Sequence, residues 1–102
     1  MSMDPGSPAE PGMDDRGYRI HGRVQGVGFR WWSRGVARKL GVVGTVANRA
    51  DGSVEVMARG TVHSIARLEV ALREGPTMAR VDRVEVVDCT LPDVVDTFSI
   101  EL

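Results

Sequence analysis

The chain has 102 residues, 42% of them hydrophobic, and its 13 Lys and Arg against 14 Asp and Glu leave a formal net charge of −1. That length suits one domain with one core. No apolar run approaches a transmembrane helix, no apolar leader marks a secretory signal, and the lone Cys89 excludes an internal disulfide. Residues 1–16 hold Pro5, Pro8 and Pro11, four acids and almost nothing apolar, the composition of a disordered tail, part of it of the kind added for expression. The folded domain is expected over residues 17–102. Residues 18–25 alternate Tyr18, Ile20 and Val24 against Arg19, His21, Arg23 and Gln25, which predicts a half-buried strand. Phe29, Trp32, Val36, Ala37 and Leu40 then share a helical stripe that ends at Gly41, placing Trp32 in the core and Trp31 and Arg34 on the outer face. Gly35 inside this helix costs about 1 kcal/mol relative to Ala, a cost that close packing against a neighbour would explain. Residues 42–48 and 53–59 read as two strands, the latter burying Val54, Val56 and Ala58, joined by a hairpin through Arg49-Ala50-Asp51-Gly52. Thr61 can cap a second helix with the stripe Val62, Ile65, Leu68 and Leu72, closed by Gly75-Pro76. In residues 80–90, Val84 and Val86 lie in one phase and Val81 and Val87 in the other, which predicts a bulge or burial on both faces. Residues 97–102 form a short last strand with Phe98, Ile100 and Leu102 inward.

The order βαββαβ with a short final strand predicts an α+β fold, a ferredoxin-like α/β sandwich. Two split βαβ units would give an antiparallel sheet with both helices on one face. That architecture hosts enzymes, RNA-binding modules and regulatory domains, so it does not decide function.

The most informative segment is Gly22-Arg23-Val24-Gln25-Gly26-Val27-Gly28-Phe29-Arg30, a strand that breaks into a glycine-rich loop and then a helix. Such a loop points successive backbone N–H groups into one space, and the helix start adds its positive dipole end. Arg30 sits in the first helical turn, where the dipole disfavours a cation, and a local rule broken in this way often marks a function. The inferred ligand is a phosphate lying between the loop and Arg30. Glycines before a helix also simply permit tight turns, so the loop alone leaves both readings open. No Lys-Ser or Lys-Thr follows the glycines and their spacing is not that of a dinucleotide fingerprint, so the phosphate belongs to something smaller than a nucleotide. Every charged residue from Arg19 to Arg49 is basic, which can concentrate an anion near this loop. Cys89 has no activating base nearby in sequence, and His21 and His63 are isolated, so neither a thiol nucleophile nor a metal site is expected.

The stretch from Ile20 to Arg30 resembles the first signature of the acylphosphatase family throughout. Gly44, Val46, Asn48, Gly52, Val54 and Gly60 match its second signature at the family's spacing, and the likeness covers essentially all of residues 17–102. One position departs: Thr45 stands where the family usually has an aromatic residue. The resemblance implies hydrolysis of an acyl phosphate to a carboxylate and inorganic phosphate, without metal or cofactor. It implies a phosphate site made of Gln25, Gly26, Val27, Gly28, Phe29 and Arg30, and Asn48 as the residue that positions water. Read without the resemblance, Asn48 is a turn residue before the hairpin.

The expected partner is therefore a small acyl phosphate, with no nucleic acid and no membrane, for a monomer in the cytoplasm. Cys89 agrees with a reducing compartment. The alternatives on the same fold are a non-catalytic anion sensor and an RNA-binding module. Against the latter, the outward residues Arg19, His21, Arg23, Glu55, Met57 and Arg59 include no aromatic ring for base stacking.

Overall fold

Tyr18 and Ile20 alternate with Arg19 and His21, and the first pair is fully buried while the second faces the other side of the sheet. The computed structural model describes residues 12–102. Its elements run β1 (Met13–Arg23), α1 (Phe29–Lys39), β2 (Val43–Asn48), β3 (Val54–Thr61), α2 (Val62–Glu74), β4 (Arg80–Val87) and β5 (Phe98–Glu101). The strands form one sheet in the order β4-β1-β3-β2-β5. Each helix joins two strands separated by a third, which is the ferredoxin-like arrangement.

The sheet is mixed rather than antiparallel throughout. β1 pairs antiparallel with β3 and β4, and β2 with β3, but β5 runs parallel to β2. The chain leaves β4 at one edge and crosses one end of the sheet to reach the other edge. A strand entered from that end must run opposite to β4, which is the direction of β2.

Tyr18, Ile20, Val46, Val54, Val56 and Ala58 from the sheet meet Phe29 and Ala37 from α1 and Ile65, Leu68 and Leu72 from α2 in one core. Burying each larger apolar side chain contributes roughly 1.5–3 kcal/mol. Trp32 packs against this core and meets Phe29 edge to face, with ring centroids 5.3 Å apart. The side chain of Thr61 accepts a hydrogen bond from the Ser64 amide and so caps α2, as its sequence position predicts. A bulge brings Val81 into phase with Val84, while Val87 stays on the other face beside Gly17 and Val86 is exposed. Between the pairs His21–Arg83 and Gly22–Val81 the register shifts, so Asp82 is the extra residue and Val81 joins Val84 on the core side.

Several boundaries differ from the sequence pattern. β1 starts at Met13, so Met13–Arg16, grouped with the tail by composition, pair with β3 up to Thr61. Residues 1–11 of that expected tail lie outside the described residues. Val62 is exposed because it occupies the first turn of α2, and Leu102 is exposed because it lies past the end of β5. Gly35 has no packing reason either: a Cβ there would meet nothing within 4 Å.

The ladder of Met13–Arg16 with β3 is reinforced by an ion pair that composition cannot show. Arg59 grips both oxygens of Asp15 at 2.7 and 2.9 Å and donates to the carbonyls of Leu91 and Pro92 at 2.8 and 3.1 Å. The Leu91 amide returns a bond to Asp15 at 3.3 Å. The pair thus ties the β4–β5 crossover to the face opposite the helices.

Two predictions follow from these contacts. Gly35→Ala should stabilise the protein by about 1 kcal/mol, because the helix gains propensity and the added methyl meets open space; a higher thermal midpoint checks it. The Arg59 guanidinium holds the Asp15 carboxyl below its ordinary value, against a smaller opposing effect of burial. The unfolded chain therefore takes up the proton first as pH falls. The stabilisation is complete above the unfolded value of ~3.9 and is lost as pH falls through the lower folded value. Asp15→Asn should cost on the order of 1 kcal/mol at neutral pH and flatten the acid limb of stability, as read by urea melts at a series of pH values.

Candidate active site

At the end where β1 and β2 finish, β3 is only beginning. Val54, its first residue, pairs with Ile20 on one side and Asn48 on the other. β1 runs on past it to Arg23, and the loop then folds back to start α1 at Phe29. Gly26 and Gly28 adopt φ of 75° and 79°, a region that disfavours side chains, and a Cβ at either would meet no atom within 4 Å. These glycines are there for the loop's backbone path and leave the space above it open.

Gly28 is the N-cap of α1 and supplies no side-chain cap, and the first turn contains no acidic residue. The opening N–H groups of a helix have no intrahelical partner, so they present a positive end to whatever lies in front of them. Arg30 adds a full charge there. Among the described residues no carboxylate pairs with it. Its guanidinium makes a long 3.4 Å hydrogen bond to the Glu101 carbonyl oxygen of β5.

A cleft of about 220 Å³ lies at this point, lined by Val24, Gly26, Gly28, Phe29, Arg30, Trp31 and Asn48. The fold thus brings Arg30 and Asn48, eighteen positions apart in sequence, to one small space with the glycine loop. Asn48 is the exposed last residue of β2, not a residue of the turn. Phe29 is buried in the core although it borders the cleft. Val27 is packed against the core and is not among the lining residues.

Gln25 is used differently from a loop amide alone. Its side-chain amide donates to the carbonyls of Arg49 at 2.8 Å and Ser53 at 2.9 Å, the two ends of the β2–β3 turn. The turn is closed by the Arg49 amide on the Ser53 carbonyl and by the Asp51 carboxylate, which accepts from the Ser53 amide. Hydrogen bonds from Ser53 hold the Asp51 carboxyl below its ordinary value. On the open face of the sheet, Glu55 receives Arg19 at 2.9 Å and Arg49 at 3.2 Å and so braces the same turn. His21 lies on that open face, 3.1 Å from Glu85, and is not brought to the cleft. Thr45 also lies on that face, between Met57 and Ser99, so the departure from the family pattern falls outside the cleft.

Val24 and Trp31 are the lining residues that sequence reasoning did not place at the site, and of the two only Trp31 is exposed. An exposed tryptophan directly after Arg30, on the polar side of a helix, was the available signal. The Gln25 latch carries its own prediction. Gln25→Ala should destabilise the protein by roughly 1–2 kcal/mol, the sum of two ordinary hydrogen bonds. Hydrogen exchange at the Arg49 and Gly52 amides should quicken more than at core amides of β1, which distinguishes a loosened turn from general destabilisation.

With this geometry in view, comparison with known proteins is direct. The acylphosphatase family model matches residues 16–100. The acylphosphatase of Koribacter versatilis is 48% identical over 88 residues, spanning 86% of this chain and 80% of that protein. The acylphosphatase structure from Bacillus subtilis superposes with a TM-score of 0.81 at 31% identity, covering 88% of this chain and 99% of that one. The structure of an acylphosphatase from Coxiella burnetii gives the same TM-score at 33% identity, covering 88% and 94%. The chain belongs to the acylphosphatase family.

Proposed function

We propose that this protein hydrolyses acyl phosphates to a carboxylate and inorganic phosphate, as a monomer needing neither metal nor cofactor. The observation that carries the reading is the shared cleft of the glycine loop, Arg30 and Asn48. The phosphoryl group sits on the amides of the 25–30 loop and the start of α1, with Arg30 binding two of its oxygens in a fork that a lysine does not reproduce. Gln25 enters through its backbone and through the latch that sets the turn after Asn48.

The chemistry asks little of acids and bases. The leaving group is already a stable carboxylate, so it needs no proton. Phosphoryl transfer through a loose transition state is catalysed mainly by positioning and by charge. Asn48 has both an acceptor and a donor, which suits it to hold a water in line with the breaking P–O bond. The water's proton passes to a phosphate oxygen. A site without histidine, thiol or carboxylate pair is therefore sufficient for this reaction.

The open face of the sheet supports a small-molecule substrate over RNA, since its described residues present no Phe, Tyr or Trp ring for base stacking, and Asp15 and Glu55 pair with its Arg59 and Arg19. No helix among the described residues is long and apolar enough to cross a membrane. The single half-buried Cys89, whose thiol burial pushes up from its ordinary value, agrees with a cytoplasmic setting.

The test is loss of benzoyl phosphate in buffer containing chelator, with inorganic phosphate inhibiting competitively. Arg30→Lys should lower kcat/KM at least about tenfold by losing the fork. Asn48→Ala should lower kcat about 10²-fold while phosphate inhibition changes little, because the lost contact matters chiefly in the transition state. A folded Asn48→Ala protein with unchanged kcat would make Asn48 a strand-end residue only, and full activity in Arg30→Lys would remove Arg30 from the site.

A further inference from the structure

Trp31 is 69% exposed, although its neighbour Trp32 packs against the core and meets Phe29 edge to face. Burial therefore does not account for Trp31. The Arg34 guanidinium lies 5.2 Å from its ring centroid, in cation–π range, which restrains an otherwise mobile side chain from one face. The ring also lines the cleft that holds Arg30 and Asn48. A large apolar surface is thus kept in water, oriented, at the mouth of a polar site.

We infer that the indole of Trp31 is the acyl-group subsite of the cleft, and that it favours substrates whose acyl part is a flat aromatic ring over small aliphatic acyl phosphates. The inference rests on the hydrolase reading above. In an in-line displacement the leaving carboxylate departs on the side of phosphorus away from the attacking water. The acyl group must therefore lie away from the water held by Asn48. Among the lining side chains, Val24 and Phe29 are buried, and Arg30 is assigned to the phosphate by the hydrolase reading. Trp31 alone offers an exposed apolar face. An aromatic acyl group laid against it removes hydrated apolar surface and gains ring-to-ring packing, whereas an acetyl group is too small to gain much of either.

The experiment compares kcat/KM for benzoyl phosphate and acetyl phosphate in the wild type, Trp31→Ala and Trp31→Phe, with thermal melts to verify folding. The benzoyl-to-acetyl ratio should fall about fivefold or more in Trp31→Ala and recover most of the way in Trp31→Phe. An unchanged ratio in a folded Trp31→Ala protein overturns the subsite. Calorimetric titration with the non-hydrolysable benzoylphosphonate and acetylphosphonate separates this from the hydrolase reading. A benzoyl preference that Trp31→Ala abolishes supports the subsite even where the wild type turns over neither substrate, a result that would sink the hydrolase reading alone. Equal affinity for the two phosphonates in the wild type overturns the subsite whatever the turnover.

Discussion

The bidentate hold of the Gln25 amide on the Arg49 and Ser53 carbonyls is the contact on which the cleft depends. It spans the place where β1 and β2 have no strand between them, since β3 starts only at Val54. Without it, the glycine loop and the turn after Asn48 would be two separate mobile connections at one end of the sheet. Positioning a water against a phosphorus atom tolerates errors of well under an ångström. In the proposed hydrolysis, a side chain that fixes both halves of the cleft to each other contributes without touching substrate.

The same end of the molecule concentrates unsatisfied positive charge. α1 begins on Gly28 with no side-chain cap and with Arg30 in its first turn, both unfavourable to the isolated helix. The helix persists because Phe29 and Ala37 are buried in the core and Arg38 and Lys39 stand at its favourable end. Stability lodged in the apolar stripe leaves the N-terminus free to be poor as a helix start and suited to the anion that the proposed function places there. Elsewhere the arginines behave conventionally. Arg19, Arg49 and Arg59 each pair with a carboxylate on the open face of the sheet, whereas Arg30, the charged residue lining the cleft, does not.

In the proposed reaction the cleft works mostly through backbone and geometry. The loop glycines shape the cleft through φ, and Gln25 through the two carbonyls it bridges. Such roles leave weak traces in composition, and Thr45 shows the converse. A departure in a signature segment is conspicuous in sequence, yet it lies on the open face, away from the cleft.

The amino-acid sequence by itself determined the order and type of the elements, because alternation in Tyr18–Ile20 and Val54–Ala58 and the stripe from Phe29 to Leu40 are local periodicities. It also carried the glycine loop and Arg30, where a motif and a broken helix rule coincide in a few adjacent residues. Asn48 was legible only through resemblance, since an asparagine before a hairpin is locally a turn residue. Only the tertiary structure decided that β5 runs parallel to β2, that Met13–Arg16 pair with β3 and are braced by Asp15 and Arg59, and that the Gln25 side chain reaches the β2–β3 turn. These are long-range pairings, and nothing in the local pattern distinguishes a paired Asp15 from a solvated one. Trp31 divides the same way: helical periodicity placed it outside the core, but the depth of the cleft beside it exists only once β2 has brought Asn48 alongside α1.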